Sequence, residues 1–408
     1  MNVLAGIDGG SAAELDRMVD ALEDRAGHAL NVYRDGDIGL VSSRDGIDQG
    51  RVKVAFNGYL LGEEERPEEY IARRYEEDGI GFVEQLNGSF RFALYDGEED
   101  RLYLVTDKVG NKLFYYTEDT DDLKFSSYLV GLLSQPDVDM DVDDRGRDDF
   151  LASFQVFHSG GRTLVDGVQK TRPSQIIDVD RGMATETYWD VYNRDTREVS
   201  DAAAADDLEQ LMRQAVSEMA ETLSGTPNIL FSGGLDSTFL ASIILDEVDE
   251  LNTYTFGWAD EHLVPGRKMA EKLGTNHTEF NRPLDLPDTG DVWRHEEPFF
   301  PHLFIQAQKM IQEENMDEIF SGVRSVFPFP VGNQNLRKLE RRRYLQPVAA
   351  VLRRTGPDSI VEHTKTGEGR AIDALGSKYD SAVVTNSRSM WRKRMAAAAG
   401  QSLADSEE

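Results

Sequence analysis

Residues 229–242, ILFSGGLDSTFLAS, pass from an apolar triplet through two glycines and an aspartate into a second apolar run. The triplet Ile229, Leu230, Phe231 reads as a buried strand, and Phe239, Leu240, Ile243 and Ile244 recur at helical spacing. The break is therefore expected to be a strand-to-helix loop. Gly233 and Gly234 permit positive φ and close backbone approach to a ligand, while the first amides of the next helix point outward unpaired, with the positive end of the helix dipole. Such a loop suits an anion, most naturally a phosphate. The alternative is a tight turn closed by a Ser or Asp cap. A kinase-type phosphate loop does not match, because the Gly-Lys-Ser/Thr ending is missing and no lysine lies between residues 171 and 267.

The 408 residues suffice for two domains, perhaps a third. With 75 acidic against 44 basic residues the net charge is −31, which repels nucleic acid and anionic membranes. High salt would screen that self-repulsion, so a halophilic cytoplasm is expected, an ordinary acidic enzyme being the alternative. Without cysteine there is no disulfide, thiolate ligand or cysteine nucleophile. The N-terminus lacks a basic region followed by a long apolar core, and no apolar run approaches membrane-spanning length; a soluble, cytoplasmic protein is expected. Residues 331–400 are an exception to the acidity, with 14 Lys or Arg against 6 Asp or Glu. Arg337, Lys338, Arg341, Arg342 and Arg343 there sit at helical spacing. This basic segment could fold back on the chain, line an anionic substrate site or bind a partner.

Upstream, RVKVAFNG (51–58), SFRFALYD (89–96), RLYLVTDK (101–108) and LFYYT (113–117) read as strands, and PEEYIARRYEEDG (67–79) as a surface helix. An α+β domain is expected over 1–135, followed by a linker with edge strands over 136–200. Over 201–330 helices near 201–223, 237–246, 265–273 and 303–314 alternate with the strands ILF, NTYTFGW (252–258) and MDEIF (316–320). That alternation predicts an α/β parallel sheet with ligands at the carboxyl ends of its strands. A basic, largely helical segment, 331–408, ends the chain.

The series QLNGSFRFALYD (85–96), TDKVGNKLFYY (106–116), FSSYLVGLL (125–133), GGRTLVDGVQKTRPS (160–174), SGGLDS (232–237), AEKLGTNHTEF (270–280), EEPF (296–299) and FSG (320–322) resembles the asparagine synthetase family in order and spacing. The resemblance implies an Ntn-type glutamine amidotransferase-like domain, then an adenine nucleotide α-hydrolase-like (PP-loop) ATP pyrophosphatase domain. It further implies ATP and Mg²⁺ as cofactors and an acyl-adenylate mechanism, with a small-molecule carboxylate and ammonia or an amine as substrates and a homodimer as a possible assembly. Ser232, Gly233, Gly234, Leu235, Asp236 and Ser237 would hold the pyrophosphate, Asp236 would bind the metal, and Phe256 and Gly257 would lie near adenine. Thr238 supplies a further hydroxyl. Ser321 and Gly322 match the family's second Ser-Gly.

Departures from the family pattern bear on activity. The family's glutaminase uses an N-terminal cysteine, whereas position 2 is Asn2, whose carboxamide is no nucleophile. Asn57-Gly58 matches the family's Asn-Gly, but Thr106 replaces the arginine of its Arg-Asp-x-x-Gly motif. The N-terminal domain is expected to be an inactive scaffold. After the second Ser-Gly, Val326 and Phe327 stand where the family has an acidic pair, and Arg324 would enter the site as a catalytic cation. A shifted register would instead restore Asp317 and Glu318. His277 matches a family histidine, and Lys268 or Lys365 could act as a late acid or charge clamp. Three readings stay open: an amide-forming ligase without glutaminase activity, a degenerate nucleotide-binding or regulatory protein, and an ATP pyrophosphatase for a substrate other than an amino acid.

Overall fold

Phe90, Phe92 and Leu94 alternate along one strand with Arg91, Ala93 and Tyr95, and all six are buried, so this strand is covered on both faces. The computed structural model describes residues 3–26, 28–117, 122–138, 141–147, 161–180, 182–190, 198–220, 225–257, 260–281 and 320–321. Within them, β1 (Leu4–Asp8), β2 (Asn31–Asp35), β3 (Ile38–Ser42), β8 (Tyr115–Thr117), β9 (Leu123–Ser126) and β10 (Val168–Lys170) form one antiparallel sheet in the order β10-β8-β9-β1-β3-β2. A second antiparallel sheet, in the order β12-β11-β7-β6-β5-β4, joins β4 (Asp48–Gln49), β5 (Val52–Leu60), β6 (Gly88–Asp96), β7 (Arg101–Thr106), β11 (Gln175–Asp178) and β12 (Ala184–Thr187).

Alternating side chains sort into three apolar layers. Leu4, Leu40, Ala55, Ala93, Leu104 and Phe125 pack between the sheets. On the outer face of the first sheet, Ala5, Ile7 and Val41 meet Leu15, Met18 and Leu22 of α1 (Ala12–Ala26) and Leu129 of α3 (Leu129–Leu133). Val54, Phe56, Phe92 and Val105 of the second sheet meet Ile71 of α2 (Pro67–Asp78) and Phe82 of the 3-10 turn Ile80–Gln85. The result is a four-layer α-β-β-α sandwich.

The four strands and the helix expected over residues 51–117 are present. α1 was not expected, although Ser11 and Glu14 form a capping box, with Ser11 N donating to Glu14 Oε2 at 2.6 Å. Over 136–200, β10 and β12 are edge strands, whereas β11 lies inside its sheet between β7 and β12.

Beyond residue 200, α4 (Asp201–Ala220) leads into β13 (Asn228–Leu230), α5 (Leu235–Glu247), β14 (Asn252–Gly257), α6 (Asp260–Leu273) and β15 (Asn276–Asn281). These strands are parallel, and β16 (Phe320–Ser321) joins them in the order β15-β14-β13-β16. Val216, Ile229, Phe231, Leu240, Ile244 and Ala270 form the core beneath the three helices. α6 begins at Asp260, earlier than the expected 265, and carries Pro265 inside it. The helix near 303–314 and the segment 331–408 lie outside the described residues. Among the described residues no helix is long and apolar enough to cross a membrane.

Candidate functional site

β13 lies between β14 and β16, and at its carboxyl end Phe231 N donates to Tyr254 O at 2.7 Å, so the chain leaves the sheet from an interior position. Gly233 then takes φ +69°, and Gly234, with φ −75° and ψ 172°, is the N-cap of α5 without a side-chain capping bond. The N-cap of α5 is thus neither the Ser nor the Asp that the alternative expects. The helical ladder starts with Thr238 N donating to Gly234 O at 3.0 Å, leaving the amides of Leu235, Asp236 and Ser237 as the orphan donors of the first turn. Ser232 Oγ lies 3.1 Å from Ser237 Oγ and accepts from Gly234 N at 3.2 Å. Thr238 Oγ1 is buried and makes no hydrogen bond.

Asp236 sits in the first turn of α5, neither buried nor fully exposed. Ser321, in β16, pairs with Leu230, so the second Ser-Gly segment begins at the sheet end that carries the loop. Phe256 and Gly257 separate. Gly257 is buried beneath α6, where a Cβ would come 2.7 Å from His262 Cβ, whereas Phe256 is half-buried on the alternate face of β14. Of the remaining candidates, Gly322, Arg324, Asp317, Glu318, Val326, Phe327 and Lys365 lie outside the described residues.

Lys268 is exposed on α6. His277 is largely buried: its Nδ1 lies 3.0 Å from Thr253 Oγ1 and its Nε2 3.6 Å from Glu279 Oε1, and burial lowers its pKa against the pull of Glu279. The sequence reading passed over Pro265 and Gly266, which pack against the loop. A Cβ on Gly233 would lie 2.6 Å from Gly266 N and closer still to the Pro265 carbonyl. The available signal was a proline-glycine pair inside a helical pattern.

The N-terminal matches are tied into structure. Asn57 is fully buried, and Gly58, at φ +127°, sits so close to Ser89 and Phe90 that a Cβ would lie 2.8 Å from Phe90 Cα. Thr106 Oγ1 donates to Arg172 O at 2.6 Å. Asp107 accepts from the amides of Val109, Asn111 and Lys112 at 3.0–3.1 Å; burial raises its pKa, against the effect of these bonds. Among the described residues one trio of acids is spaced for a metal, Glu14, Asp122 and Asp137. The Lys124 ammonium sits in it, at 3.3, 2.6 and 2.9 Å from the three carboxylates.

Residues 66–189 match the glutamine amidotransferase domain family, and residues 207–286 match the asparagine synthase family. An asparagine synthetase (glutamine-hydrolyzing) 3 of Bacillus subtilis is 25% identical over 312 residues, 64% of this chain and 50% of that protein. A putative asparagine synthetase of Methanocaldococcus jannaschii is 23% identical over 336 residues, 72% of this chain and 64% of its own length. The two family matches and these relatives together support a divergent member of the asparagine synthetase family. The chain spans about half the length of the Bacillus relative. A solved glutamine phosphoribosylpyrophosphate amidotransferase of B. subtilis aligns with 78% of this chain and 90% of its own at 11% identity and a TM-score of 0.32, too slight a likeness to bear on the fold.

Proposed function

We propose that the chain is an ATP-dependent ligase that binds Mg·ATP at Ser232–Ser237, adenylates a carboxylate with release of pyrophosphate, and passes the acyl group to ammonia or an amine. The observation that carries this reading is the uncapped start of α5 at the carboxyl end of an interior parallel strand. Three orphan amides and the Ser232 and Ser237 hydroxyls form a donor set suited to phosphate oxygens. Asp236 offers one carboxylate to a divalent ion, which would offset charge on the departing pyrophosphate. The protein's own part is to hold the phosphates with preorganised donors, leaving the α-phosphorus open to the substrate carboxylate.

The N-terminal sandwich, on this reading, takes no part in glutamine hydrolysis. Position 2 carries Asn2, Asn57 has no exposed surface, and the Asp107 carboxylate is engaged by its own loop. Exchange of labelled pyrophosphate into ATP, measured at high salt against a panel of carboxylic acids, tests the proposal. Acid-dependent exchange is expected, with AMP and pyrophosphate as products; ADP and orthophosphate would overturn it.

A further inference from the structure

We propose that Arg267 is a positioning residue for the Ser232–Ser237 loop, acting through its ion pair with Glu279; the inference deepens the nucleotide reading above and rests on it. The peptide between Pro265 and Gly266 is wedged against the loop on one side and β14 on the other. A Cβ on Gly233 would collide with this peptide, and one on Gly266 would collide with Thr255 Oγ1 and lie 3.3 Å from Phe231 O. Thr255 Oγ1 itself donates to Phe231 O, the last residue before Ser232. The left-handed turn at Gly233 thus rests on helix backbone at residues 265–266.

That stretch of helix is weakened by its own sequence. Pro265 has no N–H to give to the ladder, and its ring crowds the carbonyl four residues earlier. Arg267, the next residue but one, supplies an outside anchor. Its Nε and Nη2 each lie 2.7 Å from a different oxygen of Glu279, and Nη2 also reaches Asp260 Oδ1 at 3.2 Å, at the start of the same helix. Glu279 is in register with Thr255, the residue on which Gly266 is packed. The fork therefore ties α6 to β15 at the level of the proline and holds the helix segment that the loop rests on. A planar, bidentate guanidinium suits this task better than a point charge. The Arg267 hydrogen bonds hold the Glu279 carboxyl below its usual range, as expected of a pair ionised together.

The test uses the full chain with Arg267→Met, Glu279→Met and Arg267→Lys. Amide hydrogen exchange over 232–237 is followed without nucleotide, and the Kd for Mg·ATP is measured well below each variant's unfolding midpoint. Both Met variants should exchange about fivefold faster over the loop and bind Mg·ATP weaker by a similar factor, with Arg267→Lys recovering part of each change. Loop exchange that stays at the wild-type rate in folded Met variants, even with a lowered midpoint, overturns the proposal. Should a Met variant fail to fold, Arg267→Lys and Glu279→Gln carry the same comparison. Faster loop exchange in a protein whose wild type does not bind Mg·ATP refutes the nucleotide reading and leaves the loop positioned by Arg267.

Discussion

Gly233 lies against Pro265 with no room for a methyl group between them. Its neighbour Gly234 is different, with φ −75° and only Ser232 Oγ, at 3.2 Å, near its missing Cβ. Gly233→Ala should therefore destabilise by about 2–4 kcal/mol, combining left-handed strain with a backbone clash. Gly234→Ala should cost at most about 1 kcal/mol, the difference between a glycine and an alanine N-cap. Urea unfolding of the two variants side by side checks the order, which equal losses would contradict.

Asp236 makes no side-chain capping bond to α5, so its removal touches little of the fold. Asp236→Asn is expected to change stability by no more than about 0.5 kcal/mol, part of the interaction of a first-turn acid with the helix dipole. Magnesium-dependent ATP binding, measured by calorimetry, should fall at least about tenfold, the loss of one charged ligand interaction. Unchanged affinity would remove Asp236 from the metal site.

Much of the fold was legible because its strands are continuous apolar runs and its second half alternates helix and strand. The anion loop was legible for the same reason, with glycines falling between two periodic segments. What could not be read is which glycine is constrained by space and which by the cap, because Pro265 lies 32 positions away from Gly233 in the chain. Likewise, Asn57-Gly58 and Asp107 match motif positions, yet Asn57 is buried and Asp107 is bound to its own loop, and only the folded chain shows that. α1 went unread although its Ser11 and Glu14 cap is local and Leu15, Met18 and Leu22 recur at helical spacing; the flanking strands β1 and β2 were not expected either.

Burial, and then the nearby Asp180, Asp100 and Asp37, raise Asp8 from 3.8 to about 6. A carboxyl that holds its proton more tightly when folded than when unfolded loses stability as it ionises, so this contribution falls as pH rises from about 4 to about 6. Asp8→Asn should stabilise the protein at pH 7 by on the order of 1 kcal/mol at low salt, and by less in molar salt as the like charges are screened. Thermal melts at both salt levels measure this; a gain that does not shrink with salt would mean that burial alone sets the shift.

No glutamate should form from glutamine above the spontaneous background, with or without ATP. Asn2→Cys alone should not restore hydrolysis, since Thr106 replaces the motif arginine and Asp107 is held by three amides. A coupled glutamate assay on wild type and variant decides this, and enzyme-dependent glutamate from the wild type would reverse the reading of the N-terminal sandwich.

Because β10 and β11 come from beyond residue 160, neither sheet of the sandwich can be completed until that part of the chain has been synthesised. Until then β7 keeps an unpaired edge along LYLV, one of the most apolar stretches in the chain. A nascent chain paused between residues 135 and 160 therefore presents a template for strand addition. The order of translation, as much as the finished packing, makes this the interval in which the protein depends most on being shielded from its neighbours.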